Sequence, residues 1–273
     1  IGTSALDAAA STSLNVAVGS NALTNNTANN NTAVGYQALT TNTSGTRNTA
    51  VGVIALGDNT TAHDNVEVGY NAGTNNTTGA SNTFVGSESG AVTTTGHSNA
   101  AFGKRALYSG TTGTQNTALG KDALYANTTG TRNTAVGTDA LTTNTTGTLS
   151  VAVGFEALKL STGGLATAVG AFAADAHTTA AYTTAIGYAA LGSLTTGTAN
   201  TAVGHQAGNA VVDSSHTTAV GYNALVLSTG ANNTAIGSRS LDANTTGTGN
   251  TSLGVDCLGG NTTAINNTAV GNN

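Results

Sequence analysis

Proline, methionine and tryptophan are all absent from the 273 residues. Proline cannot donate to a strand ladder, so its absence suits strands paired on both sides. Charged residues make up only 7%, against about 25% in ordinary globular domains. Solubility must then rest on Thr, Asn and Ser. The formal net charge of −5 is thinly spread and forms no basic patch, which argues against a nucleic-acid partner. A single cysteine, Cys257, excludes an intramolecular disulfide framework. No apolar run reaches the roughly 18 residues a membrane-spanning helix needs, so no membrane insertion is expected.

What is present is a repeat. Asn48-Thr49-Ala50-Val51-Gly52, followed by Ala55-Leu56, returns as Asn133-Thr134-Ala135-Val136-Gly137 with Ala140-Leu141, and again from Asn200 to Gly204. Its glycine recurs from Gly2 to Gly271 at thirteen intervals of 17 residues and three of 16. A fixed period of this length over a whole chain marks a solenoid. Ordering one 17-residue coil costs roughly 25 kcal/mol. Burying its two or three aliphatic side chains returns only about 4–8 kcal/mol. A coil cannot fold alone and must stack. The expected fold is therefore all-β, a parallel β-solenoid (β-roll) of about sixteen coils of 16–17 residues, forming one repeat domain over 1–273. The repeat is broken at both ends, at Ile1-Gly2 and at Val270-Gly271-Asn272-Asn273, which predicts a slice of a longer protein.

A coil can be numbered in slots from its leading asparagine. Slots 1 to 5 then read Asn-Thr-Ala-Val-Gly, as in Asn133 to Gly137. Slots 6 and 7 vary, slot 8 is alanine (Ala140) and slot 9 is leucine (Leu141). A tail follows, such as Thr142-Thr143-Asn144-Thr145-Thr146-Gly147-Thr148. Slots 2 and 4 are β-branched or large apolar and two apart, which predicts that they share the inward face of a strand. Slot 3 then faces out, as Glu67 and Phe84 suggest. Slot 5 glycine turns the chain. Slot 8 is always small (alanine, or Ser89, Ser240 and Cys257) and reads as inward. Slot 9 is leucine in twelve of sixteen copies. Neighbouring slots on a strand face opposite ways, so either a corner lies here or the leucines form an outward stripe covered by another chain. Asparagine at slot 1 predicts a stacked amide ladder. The Asn-Thr-Thr-Gly tails carry turn chemistry, and length variation falls there.

The Asn-Thr-Ala-Val-Gly…Ala-Leu phrase resembles the Asn-Ser-Val-Ala-Ile-Gly head repeats of trimeric autotransporter adhesins. It is still closer to repeat arrays of bacteriophage tail-fibre proteins and related bacterial surface proteins. The resemblance covers essentially the whole chain, though the period here is longer. It implies a left-handed β-roll, a homotrimer joined to further copies or flanking domains of a fibre, and an extracellular place on a virion tail fibre or a bacterial cell surface.

No constellation of reactive residues stands out, so an enzyme, a metal site and a cofactor are not expected. The five histidines (His63, His97, His177, His205, His216) read as solvated loop residues. Cys257 reads as an inert stand-in for Ala. Asp122, Asp139 and Asp256 lack a calcium-binding glycine pattern. Tyr36, Tyr70, Phe155, Tyr188 and Tyr222 all occupy slot 6 and are the candidate surface or interface contacts, scattered along the coil stack. The expected function is a structural, adhesive shaft that presents a tip to a host surface glycan or protein. The alternative is an ice-binding solenoid using threonine ladders, weakened by the expectation that slot 2 points inward.

Overall fold

A computed structural model describes residues 2–8 and 13–273. Ile1, the first apolar strand residue of the repeat, lies outside them. The chain is an all-β parallel β-solenoid of about sixteen turns, with no helix among the described residues. Its strands are three or four residues long and run from Val16–Val18 to Thr268–Val270. Two compact units divide the chain, Ile1–Ala135 and Val136–Asn273. In the first, each strand from Val16–Val18 to Thr117–Leu119 pairs in parallel with the strand one coil on. In the second the same holds from Val151–Val153 to Thr268–Val270. Register follows the repeat: Thr32 stands beside Thr49, Ala33 beside Ala50 and Val34 beside Val51. Shorter coils keep it too, since Val16 still meets Thr32 and Thr218 meets Thr234. The missing residue is absorbed in the tail.

The strand faces are the reverse of the expectation. Slot 3 is the inward slot: Ala33, Ala50, Ala101, Ala118, Ala152 and Ala202 are fully buried. Slots 2 and 4 face out, half-buried to exposed, as Val66, Phe102, Leu119 and Ile236 show. The physical reason is the bore of the coil. A strand of three residues faces a corner carrying the alanine of slot 8 and the leucine of slot 9, and the gap admits little more than a methyl. β-branched residues at slots 2 and 4 are favoured because they suit a pleated strand and stack on their counterparts one coil away, which requires no burial.

Both Glu67 and Phe84 are therefore inside, fully buried. Each is matched by a glycine at slot 9 of its own coil. A Cβ on Gly73 would lie 2.7–2.9 Å from the Glu67 carboxyl, and one on Gly90 would lie 2.3 Å from the Phe84 ring. Large at slot 3 requires empty at slot 9, because the two slots fill one space.

The leucine question resolves as a corner. Leu23, Leu39, Leu56, Leu107, Leu124, Leu141, Leu158, Leu191, Leu225 and Leu241 are buried beside their slot 8 neighbours. Their φ values are positive, for example 53° at Leu39 and 51° at Leu56. A left-handed residue turns its side chain back towards the core, so consecutive residues both point inward. That conformation costs about 1–2 kcal/mol for a non-glycine. Burying a leucine returns about 1.5–3 kcal/mol, so the core wins. Among the described residues slot 9 forms no outward leucine stripe, so self-association cannot rest on one.

Slot 5 glycines turn the chain as expected, with φ between 130° and 146°. They also stack: a Cβ on Gly52 would sit 2.3 Å from the Gly69 carbonyl oxygen. The amide ladder forms as well. The backbone N–H of Asn65 donates to Asn48 Oδ1 at 3.1 Å and that of Asn82 to Asn65 Oδ1 at 2.9 Å. Asn48 Nδ2 also donates to the Ala62 carbonyl at 2.8 Å, tying the strand to its tail. A second, unexpected ladder runs through the tail asparagines, where Asn42 Nδ2 donates to Asn26 Oδ1 and Asn59 Nδ2 to Asn42 Oδ1, at 2.6 and 2.7 Å. These asparagines are buried, and in doing so they satisfy the tail backbone that would otherwise be orphaned. The tail turn is closed locally as well, Gly79 N–H donating to Asn76 Oδ1 at 2.9 Å.

Candidate binding surface

Because slot 3 carries the strand's contribution to the core, its outer face carries the variation a partner would meet. In the second unit that face is apolar over several coils. Val169, Ile186, Val203, Ile236 and Leu253 are exposed at slot 4. The residue just before slot 1 adds Leu149, Leu165 and Tyr182, the last 68% exposed. Threonines alternate with them at slot 2: Thr167, Thr184, Thr201 and Thr218 stand in register. Tail threonines behave differently. Thr94 Oγ1 donates to the Thr111 carbonyl at 2.9 Å, and Thr178 Oγ1 to that of Thr195 at 2.9 Å. Their hydroxyls are committed to the coil stack.

Beyond the slot 5 turn lies an aromatic column. Glycine-on-glycine stacking brings successive turns close, so slot 6 side chains of adjacent coils touch. Phe155 meets Phe172 edge-to-face, with centroids 5.3 Å apart, and Phe172 meets Tyr188 in the same way at 5.8 Å. Tyr188 stacks on His205 at 5.2 Å and His205 on Tyr222 at 5.3 Å. Five consecutive coils thus contribute one continuous run of rings. The rings of Tyr188, His205 and Tyr222 are near-parallel, while Phe155 and Phe172 meet their neighbours at 81°. Phe155, Tyr188 and Tyr222 are about half exposed.

Three of the five sequence candidates, Phe155, Tyr188 and Tyr222, are brought together here. Phe172 sits in slot 7 and reaches across because slot 6 of its coil holds Ala171. Reading one slot at a time missed it. His205, expected as a solvated loop residue, stacks between Tyr188 and Tyr222, and its place in slot 6 is the signal in the sequence. Tyr36 and Tyr70 lie in the first unit, two coils apart and exposed, with Val53 between them. A separate pair, Tyr108 and Tyr125, stacks at 5.2 Å, and the Arg105 guanidinium lies 5.2 Å from the Tyr125 ring centre.

The charged residues nearby are paired. Lys159 Nζ donates to Glu156 Oε1 at 2.9 Å beside the column, and Glu156 holds the lysine above its ordinary pKa. Arg105 grips Asp122 with two bonds, at 2.8 and 2.9 Å. Arg47 and Arg239 hold Asp64 and Asp256 in the same forked way, depressing both carboxyl pKa values.

Two ionisable groups are buried away from this surface. Burial pushes the Glu67 carboxyl well above its usual range, and neither of its oxygens has a hydrogen-bond partner. Burial lowers the pKa of His177, a correction to the expectation of a solvated loop. Its Nδ1 lies 3.0 Å from Ser161 Oγ. Cys257 is buried in its small slot as expected. No group of three or more His, Cys, Asp or Glu is placed to hold a metal ion among the described residues. No helix among them is long and apolar enough to cross a membrane.

The arrangement offers flat, partly open rings and an apolar strand face bordered by threonine hydroxyls. No protein-family model, curated protein or solved structure matches the chain.

Proposed function

We propose that this chain is a shaft of an extracellular fibre, of the kind carried by phage tails or bacterial surfaces, in which left-handed coils assemble as a homotrimer through their outer strand faces. The observation that carries the reading is the apolar strand face of the second unit, where Val169, Ile186, Val203, Ile236 and Leu253 stand exposed. Such rows are seldom left bare on a monomer. The role is structural and adhesive rather than catalytic, in keeping with charges that are sparse. A host surface glycan or protein is the partner at the far end of such a shaft.

Light scattering after size exclusion tests the assembly. A trimer is 3 × 26.4 = 79.2 kDa. That mass is expected for the chain, with dissociation on Ile186→Lys/Val203→Lys, which places charge on the outer face without touching the core. A 26.4 kDa species from the unsubstituted chain overturns the trimer.

A second reading, ice binding, is favoured by one observation. The slot 2 threonines face outward in register, which removes the main objection to it. Thermal hysteresis of the unsubstituted chain tests it: hysteresis that is lost on Thr184→Lys/Thr201→Lys supports an ice face, and none in the unsubstituted chain overturns it.

A further inference from the structure

We propose that the column Phe155, Phe172, Tyr188, His205 and Tyr222 is a carbohydrate-binding strip that takes a linear, uncharged polysaccharide laid along the stacking direction. The proposal deepens the fibre reading, resting on it only for where such a polymer would be met.

Four features point to this ligand. The first is continuity: five rings touch in sequence, from Phe155 to Tyr222, with no polar gap. The second is pitch. Coils repeat at about 4.8 Å, close to the advance of one pyranose ring in an extended β-linked chain, so each sugar can meet a new aromatic. The third is the form of the open surface. Phe155, Tyr188 and Tyr222 are about half exposed, and the aliphatic C–H face of a sugar packs on exposed aromatic carbon as other apolar C–H groups do. The fourth is the border. Gln206 and Asn223, half-buried beside the rings, offer amide donors and acceptors for sugar hydroxyls, while Glu156 is neutralised by Lys159 at 2.9 Å. Lys159 is held by Glu156 and also lies within the field of Asp139 and Asp175, so this border offers no free cation to recruit a polyanion. A second copy of the chain is the weaker occupant, because the slot 5 turn sets this column off from the strand face on which self-association is proposed.

Native gels containing hydroxyethyl cellulose, barley β-glucan or glycol chitin test the strip. The intact chain is expected to be retarded by at least one polymer. Tyr188→Ser/Tyr222→Ser is expected to weaken that retardation roughly ten- to hundredfold. Serine already occupies slot 6 at Ser20, Ser87 and Ser238, so the double variant should keep its fold, and an unchanged melting temperature checks this. Tyr36→Ser/Tyr70→Ser, away from the strip, is expected to leave retardation unchanged. Three results would overturn the proposal: no retardation by any of the polymers, retardation that survives the double substitution, or a fall in solution mass in that variant. Retardation of a monomeric chain would keep the strip and sink the trimer; a 79.2 kDa species without retardation would do the reverse.

Discussion

The two units are built on one coil and differ in what they bury and what they show. The first, Ile1–Ala135, is the more regular inside its amide columns: asparagine fills slot 1 in every coil from Asn15 to Asn133. Its irregularity is at the strand, where Glu67 and Phe84 displace the leucine of slot 9. Its slot 6 column is mixed, Tyr36, Val53 and Tyr70 giving way to Lys104 and Lys121, and the Arg47–Asp64 and Arg105–Asp122 pairs bridge coils. The second unit breaks the amide columns, placing Ala166 and Thr183 at slot 1 and His177, Leu194 and Val211 in the buried tail position. Both units carry an apolar outer strand face, and the second adds the aromatic column. Chemistry can be moved between inside and outside of a solenoid coil by coil, provided the strand register and the glycine turn are kept.

The shared turn gives the largest expected effect, and it should be equal in both units. Gly52→Ala and Gly204→Ala each place a Cβ 2.3 or 2.4 Å from the next coil's carbonyl oxygen, at a φ that L residues rarely adopt. Each should cost upwards of about 4 kcal/mol, read as a collapse of the melting temperature. A mild loss in one unit alone would break the claim that the units share a coil.

Next comes the pairing of slots 3 and 9, specific to the first unit. Gly73→Leu alone should destabilise by roughly 2–4 kcal/mol, through its clash with Glu67. Adding Glu67→Ala restores the common Ala/Leu pairing and removes a buried carboxyl without partners. The double variant should exceed the original stability by about 1–3 kcal/mol. Additive single effects in this double-mutant cycle would refute the shared space.

pH should separate the units with opposite signs. Glu67 holds its proton in the fold, so its contribution is fully present below the ordinary glutamate value of 4.5 and is lost as pH rises through the raised folded value. His177 is held neutral by burial, so its contribution is present above 6.5 and is lost as pH falls through the lowered folded value. Amide exchange across this range should therefore loosen the coils around Glu67 on the alkaline side and those around His177 on the acid side. His177→Asn, the common residue of that slot, should abolish only the acid effect. The smallest change belongs to the tail threonines. Thr94→Val and Thr178→Val each remove one hydroxyl donor and should cost about 0.5–1.5 kcal/mol in either unit.

Much of the aromatic strip was visible in the chain. The slot assignment put Phe155, Tyr188 and Tyr222 in one column, but their spacing in sequence made them look scattered. Contact between them runs through Phe172, one slot out of place, and His205, a residue of another type. Neither link follows from counting aromatics. The orientation of the strand was also encoded in the chain. Glycine replaces the slot 9 leucine in the two coils where Glu67 and Phe84 replace the slot 3 alanine, and that pairing names the inward slot.

Period alone determined that this chain is a stacked parallel solenoid, since no single coil buries enough to hold itself. It also determined where the glycine turn, the first amide ladder and the variable tail fall. Tertiary structure decided which side of each strand is inside. Alternation defines two faces without ranking them, and the choice was made by the width of the bore, where methyl groups fit and valines do not. It decided the leucine corner for the same reason: a left-handed residue is unfavourable in isolation and becomes favourable only once a core exists to receive its side chain.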